Sequence, residues 1–134
     1  MQLPSAYEEV LLSRGLPLRE IGVAATGLAR NDALSAIDAL SGSTIAIASG
    51  DVLRVTNERP QYTFSNWRAQ RGIGESFDAF IARSHSIARD YIAKYPEQCG
   101  QITLYTLVTA ALSAPNDTSR SGSRASAASA GFVR

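Results

Sequence analysis

The spacing of apolar residues in the first third of the chain predicts two helices. The first opens with the capping-box sequence Ser5-Ala6-Tyr7-Glu8 and ends before Gly15. The second follows Asn31 as its N-cap and ends at Gly42. Between them, residues 16–23 are expected to form a connection with a single helical turn. Both helices carry apolar residues at helical spacing: Tyr7, Val10 and Leu11 in the first, and Leu34, Ile37 and Leu40 in the second.

After Gly42 the apolar residues alternate with polar ones, which is the period of a strand. Residues 44–48 and 52–55 are predicted to be strand, separated by a break at Ser49-Gly50-Asp51. A turn at 56–60 leads to a further strand at 61–65. Because the connection is short, this strand is expected to pair with the preceding one as a hairpin.

The longest helix follows a glycine-containing break at 72–75, with Ser76 as its N-cap and Pro96 as its stop. Residues 101–108 then alternate and are rich in β-branched side chains, so they predict the clearest strand. The element order is ααβββαβ. It predicts an α+β fold, with a small antiparallel sheet of three to four strands packed against helices. The apolar stripe of the long helix consists of Phe77, Phe80, Ile81, Ser84, Ala88, Tyr91, Ile92 and Tyr95.

The composition supports one domain followed by a tail. The chain has 134 residues, 45% of them hydrophobic and 19% charged, which suffices for one core without a metal or disulfide. After Leu112 the sequence is rich in Ser, Ala and Gly and has few large apolar residues. We therefore expect a single α+β domain at 1–112 and a flexible tail at 113–134.

Charge and cysteine content narrow the classes of function and location. Residues 1–110 contain ten Lys and Arg against eleven Asp and Glu, a net charge of −1. This near-neutral balance argues against a dedicated nucleic-acid binder. The single cysteine, Cys99, excludes an intramolecular disulfide and fits a reducing compartment. With no apolar stretch of about 20 residues and no signal-peptide pattern, the sequence predicts a cytoplasmic protein that does not bind membranes.

No set of residues in the sequence forms a recognisable catalytic or metal site. His85 is the only histidine and lies at the boundary of the helical stripe, where a packing or surface role is the usual one. Ser84 is its neighbour, but adjacent helical side chains point in different directions. Cys99 has no second cysteine or histidine with which to bind zinc. The sequence thus predicts neither a metal nor a cofactor.

Two carboxylates leave an enzymatic alternative open. Asp51 and Glu75 both occupy glycine-containing breaks, where functional side chains are often displayed, and such a pair can hydrolyse glycosidic bonds. Structural roles are favoured over this one. Asp51 would satisfy backbone amides in its turn, and Glu75 would favour the N-terminus of the helix that follows. The chain is therefore predicted not to be an enzyme, with a small hydrolase as the alternative.

An ordered set of short motifs resembles a known family. Between about residues 10 and 95 these are Leu18-Arg19-Glu20-Ile21-Gly22-Val23, Asp32-Ala33-Leu34, Ser49-Gly50-Asp51-Val52, Tyr62-Thr63-Phe64-Ser65-Asn66-Trp67, Gly74-Glu75-Ser76-Phe77, Ala82-Arg83-Ser84 and Ala88-Arg89-Asp90-Tyr91-Ile92. Together they resemble the immunity protein 40 family of small bacterial proteins encoded beside polymorphic toxins. The chain departs from that pattern at Ser49, where the family tends towards glycine, and at Arg68, where it often has an aromatic residue.

The resemblance implies a protective function in bacterial competition. Such a protein binds the effector domain of a cognate toxin encoded next to it and occludes the toxin's active site. An interface of about 800 Å² per partner is usual for such binding. A generic protein-binding adaptor remains the alternative among non-enzymes. The toxin's chemistry and the oligomeric state are left open.

Five residues are the candidates for partner binding: Asp51, Asn66, Trp67, Arg68 and Glu75. Trp and Arg are enriched among the residues that dominate binding energy, and Trp67 is the only tryptophan. Packing over the sheet is the other interpretation of Trp67, and a turn-forming role that of Asn66. Asp51 and Glu75 could face a basic toxin cleft.

Overall fold

The structure, a computed structural model, describes residues 3–18 and 25–111. The predicted tail at 113–134 and residues 19–23 of the predicted connection lie outside this part of the chain. The described elements confirm the α+β fold class with an antiparallel four-stranded sheet. In sequence order they are α1 (Ser5–Arg14), β1 (Leu16–Pro17), β2 (Thr26–Gly27), α2 (Arg30–Ala39), β3 (Ile45–Thr56), β4 (Arg59–Arg68), α3 (Phe77–Lys94), β5 (Ile102–Tyr105) and β6 (Val108–Ala111).

The long strand β3 is the centre of the sheet. It pairs with β4 on one side, and with β5 and β6 one after the other on its second side, all antiparallel. The predicted strand at 101–108 is therefore two strands, divided at Thr106 and Leu107. At the division Thr106 bonds to Asp51 of β3 in both directions, through Asp51 N to Thr106 Oγ1 and Thr106 N to Asp51 O.

The predicted break at Ser49-Gly50-Asp51 is wrong, because β3 continues through it. Gly50 serves a close approach rather than a turn. A Cβ atom at this position would lie 2.1 Å from Cη2 of Trp67 and 2.4 Å from the carbonyl oxygen of Thr106. Glycine inside a strand commonly marks such an approach. The irregularity that the glycine suggests appears instead as register shifts on both sides of β3.

The predicted hairpin is confirmed, with a two-residue turn between β3 and β4. Asn57 and Glu58 form the turn at φ +54° and +65°. Two positive φ angles match the right-handed twist of paired strands. Strand β4 extends three residues beyond the predicted end at Ser65 and includes Asn66, Trp67 and Arg68.

The helices agree with the sequence in position but not in every cap. Ser76 caps α3 by accepting a hydrogen bond from Ala79 N at 3.1 Å, as predicted. The predicted capping box of α1 is wrong, since Pro4 is the N-cap and Ser5 already belongs to the helix. Helix α2 likewise begins before Asn31, with Ala29 as its N-cap. Part of the predicted connection pairs instead as β1 with β2.

Helices cover one face of the sheet, and the residues around the paired strands β1 and β2 cover part of the other. Helix α3 packs on β3, where Ile47 N donates to the buried Ser84 Oγ at 3.0 Å. The helical face holds the larger core, built around Ile37, Leu40, Ile45, Ile47, Val52, Trp67, Ala88, Ile92 and Tyr105. The opposite face holds a smaller one, formed by Leu18, Leu53 and Leu104.

Candidate functional site

Four of the five predicted binding residues lie together at one end of the β3–β4 pair. Asn66, Trp67 and Arg68 end β4, and they pair with Asp51, Gly50 and Ser49 of β3 respectively. Glu75 belongs to the segment before α3. The sequence motifs around Gly50-Asp51 and Asn66-Trp67 are therefore two sides of one ladder.

Trp67 is a core residue in the free protein. Only 6% of it is exposed, and its ring centroid lies 5.0 Å from that of Tyr91 on α3. Its indole N–H has no hydrogen-bond partner among the described residues. Packing against Gly50 and Tyr91 therefore holds the ring in place. Of the two interpretations left open by the sequence, this geometry matches packing over the sheet.

Glu75 is engaged in a surface ion pair with Arg83. The Arg83 guanidinium donates to both carboxylate oxygens at 2.8 Å, and Gly72 N donates to Oε1 at 2.8 Å. These hydrogen bonds, Arg83 first, lower the pKa of Glu75 to about 2. Arg83 also donates to Gln70 O at 2.6 Å, two residues beyond β4. The pair thus ties the loop before α3 to the end of β4.

Asp51 has a different setting from the one predicted. It lies within β3 rather than in a turn, and its backbone N–H and C=O both bond to Thr106.

Glu75 bonds to Arg83 and Gly72. A carboxylate with a pKa of about 2 stays ionised at neutral pH and cannot serve as a general acid.

The most unusual backbone on this edge of the sheet lies in β4 before Asn66. Asp51 pairs with Asn66 and Leu53 pairs with Tyr62, so two positions along β3 correspond to four along β4. The additional residues form a bulge. At its centre Phe64 is 87% exposed and has a φ of +69°.

Hydrogen bonds hold the bulge in a defined shape. The Thr63 hydroxyl donates to Val52 O at 2.9 Å and accepts from Ser65 N at 3.1 Å. The Asn66 amide donates to Phe64 O at 3.4 Å. Positive φ is rare for a bulky residue and persists only where its surroundings impose it. Here the neighbouring side chains supply that constraint.

An aromatic groove lies beside the bulge. The Tyr95 hydroxyl donates to Ser65 Oγ at 3.2 Å, which links β4 to the end of α3. Tyr91 and Tyr95 have ring centroids 5.9 Å apart, and burial raises the pKa of Tyr91. The groove has a volume of about 600 Å³ and is lined by Ile87, Asp90, Tyr91, Lys94, Tyr95 and Pro96.

Sequence analysis missed Phe64 as a candidate. In the predicted strand at 61–65 it is one of several alternating residues, and nothing in that short segment indicates a bulge. The bulge follows from the register shift between Asp51 and Leu53, which can be recognised only when the pairing of β3 with β4 is known. The exposure of Phe64 depends on how β4 pairs with β3 and not on its residue type.

His85 and Cys99 are the remaining residues that the sequence raised as candidates. His85 Nε2 lies 2.8 Å from Ile45 O and is positioned to donate to it, which agrees with a packing role. Cys99 is exposed. Within residues 3–18 and 25–111, no group of three His, Cys, Asp or Glu side chains could hold a metal ion. No helix in these ranges is long and apolar enough to cross a membrane.

Comparison with known proteins identifies a family model that covers most of the described chain. The family model described as immunity protein 40 matches residues 17–109, more than half of the chain. No curated protein and no solved structure matches the chain. The matched region contains the β3–β4 ladder, the bulge at Phe64 and all of α3. The chain belongs to the immunity protein 40 family.

Proposed function

We propose that this protein binds the effector domain of a cognate bacterial toxin and neutralises it by covering the toxin's active site. Family membership over residues 17–109 is the observation that carries the proposal. Such a protein would act in the cytoplasm of the producing cell, and its partner would be encoded next to it. Neutralisation by occlusion requires a binding surface and no catalytic group.

The proposed binding surface is the exposed side of the β3–β4 end. Asp51, Asn66 and Arg68 would contribute polar contacts there, with Glu75 at its margin. Trp67 would contribute by supporting the strand from beneath, since only 6% of it is exposed. Interface residues around a few dominant anchors chiefly exclude water and set complementarity.

The bonding of Glu75 favours binding over the hydrolase alternative. Its carboxylate accepts three hydrogen bonds from Arg83 and Gly72, so each of its two oxygens is already engaged. A nucleophile or general base needs an oxygen that is free to meet the substrate. The two carboxylates would therefore contribute through surface charge and local structure.

Co-expression with the neighbouring toxin gene tests the proposed function. The toxin's effector domain alone should stop growth, and this protein should restore growth and co-purify with the domain. The proposal fails if the neighbouring product is harmless alone, or if it kills equally with this protein present. Protection by the Asp51→Asn, Glu75→Gln double variant would exclude the hydrolase alternative, because both proposed catalytic carboxylates are removed.

A further inference from the structure

Phe64 combines two features that are each unfavourable for the isolated fold. Among the described residues, the large hydrophobics with substantial exposure are Leu12, Leu16, Phe64, Ile73 and Ile102. Phe64 is the aromatic residue of this group, and its 87% exposure means that the ring buries almost nothing. It is also the member of the group with a left-handed backbone, at φ +69°. Neither feature benefits the free protein.

The positive φ of Phe64 results from the pairing and hydrogen bonds of β4 and not from the conformational preference of phenylalanine. Glycine and asparagine adopt positive φ at lower cost than phenylalanine. Both are compatible with the hydrogen bonds of the bulge, because those bonds use Thr63, Ser65 and the carbonyl of residue 64. A bulky aromatic ring at this position therefore indicates a role other than stabilising the fold. Strained positions of this kind cluster at ligand-contacting sites.

We infer that Phe64 is the anchor of the toxin interface and inserts its ring into an apolar pocket of the toxin's effector domain. This inference rests on the proposed function and specifies the part of the surface that dominates binding. Aromatic anchors seated in desolvated pockets supply much of the energy of protein interfaces. The hydrogen-bonded bulge fixes the backbone at Phe64 before binding, so the backbone need not be ordered when the partner binds.

The shape of the surface favours a protein pocket over other occupants. Small ligands bind in concave sites, whereas the side chain of Phe64 is 87% exposed. Addition of a partner strand needs a regular edge, and the bulge interrupts β4 at its centre. Pro60 in β4 also lacks an N–H group to offer a partner strand. An inserted side chain is the mode that remains.

The residues around the ring are suited to form the rim of such an interface. The Asn66 side-chain amide bonds to the carbonyl of Phe64, and the hydroxyl of the next residue, Ser65, bonds to Tyr95. The groove next to them adds two tyrosines with one acidic and one basic side chain, Asp90 and Lys94. Polar groups around an apolar centre are the usual arrangement of a protein interface.

The test compares two exposed apolar residues on different parts of the surface. Phe64→Ala should weaken binding to the purified toxin domain by at least about 30-fold, the effect of removing a hot-spot side chain. Leu12→Ala is the matched control, since Leu12 is 85% exposed on α1. It should bind as the unmodified protein does. Equal affinities for both variants would overturn the inference.

A second variant separates an interface role from a structural one. Phe64→Asn suits the left-handed backbone, so its thermal midpoint should equal or exceed that of the unmodified protein. Its affinity should nevertheless fall as far as that of Phe64→Ala. A lowered midpoint together with undiminished affinity would assign Phe64 to the fold and overturn the inference.

The remaining outcomes distinguish this inference from the proposed function. If the unmodified protein does not bind the toxin domain, both fail together. If it binds and Phe64→Ala binds equally well, the anchor is wrong and the immunity function stands. Light scattering of the free protein tests whether Phe64 forms a contact between two copies of this chain. A dimer that Phe64→Ala dissociates would assign the ring to a second copy of this chain and overturn the inference.

Discussion

Trp67 and Phe64 lie three positions apart on the same strand and have opposite environments. Trp67 is 6% exposed, faces the helices and fits a space that Gly50 leaves open. Phe64 is 87% exposed on a bulge at the strand's centre. By residue type, the tryptophan is the stronger candidate for a binding anchor. By environment, the phenylalanine is the residue that a partner can reach.

The difference shows that β4 contributes a buried side chain to the core near its end and an exposed aromatic side chain to the surface at its middle. Regular pairing from Asn66 to Arg68 fixes the ladder, and the indole packs on Tyr91 of α3. The bulge at 63–65 then turns a side chain outwards without disturbing that packing. Stability and binding should therefore respond to different substitutions on β4.

The largest effect is expected at the buried end. Trp67→Ala removes a buried ring from contact with Tyr91 and leaves a cavity, so it should lower the free energy of unfolding by about 4 kcal/mol. Denaturant unfolding followed by circular dichroism measures this change. A loss below about 1 kcal/mol, the usual range for surface substitutions, would contradict the core assignment.

Gly50 pairs with Trp67 across the ladder, and a double-mutant cycle tests whether the two residues are energetically coupled. Gly50→Ala should cost about 2–3 kcal/mol, because its Cβ would overlap the indole and the backbone oxygen of Thr106. Combined with Trp67→Ala, its cost should shrink, since only the overlap with the backbone remains. Fully additive losses would show that the two residues are not coupled across the ladder.

A smaller, pH-dependent effect is expected at Glu75. Hydrogen bonds from Arg83 and Gly72 lower its pKa from 4.5 to about 2. The folded state therefore favours the ionised carboxylate. The contribution of this carboxylate to the free energy of unfolding is complete above about pH 5 and is lost as the pH falls from 4.5 towards 2. Solvent screening keeps the effect small, because the Arg83 side chain is 43% exposed.

Thermal unfolding of Glu75→Gln across this range measures the effect. The difference in midpoint from the unmodified protein should be constant between pH 5.5 and 7 and should decline below that range. Arg83→Gln should remove the larger part of this pH dependence, since it deletes the main group that lowers the pKa of Glu75 and leaves the Gly72 hydrogen bond. A difference that does not vary with pH would contradict the assigned ion pair.

Sequence patterns located the helices and the hairpin because these depend on local signals. Ser76 caps α3 and the stripe from Phe80 to Ile92 is buried, as the period indicates. Gly50 was misinterpreted because a glycine that admits a cross-strand ring has the same local signature as one in a turn. The division at Thr106 and Leu107 depends on bonds to a strand more than fifty residues away.

The candidate site was less accessible from sequence for the same physical reason. The predicted hairpin brings the neighbourhoods of Asp51 and Asn66 towards each other, but their pairing occurs in the part of β4 beyond its predicted end. The exposure of Phe64 depends on the mismatch in length between β3 and β4, which no local pattern records. Glu75 was expected to serve a helix N-terminus, and its bonds to Arg83 depend on α3 lying beside the loop.

Hydrogen exchange of the toxin complex tests the central claim most directly. In the free protein, the bulge around Phe64 lies outside the regular β3–β4 ladder, so its amides should exchange faster than those of the paired strands. On adding the cognate toxin domain, deuterium uptake should fall in peptides covering 61–68 and stay unchanged in α1. Unchanged uptake at 61–68, with protection elsewhere on the protein, would contradict the claim that β4 presents the binding surface.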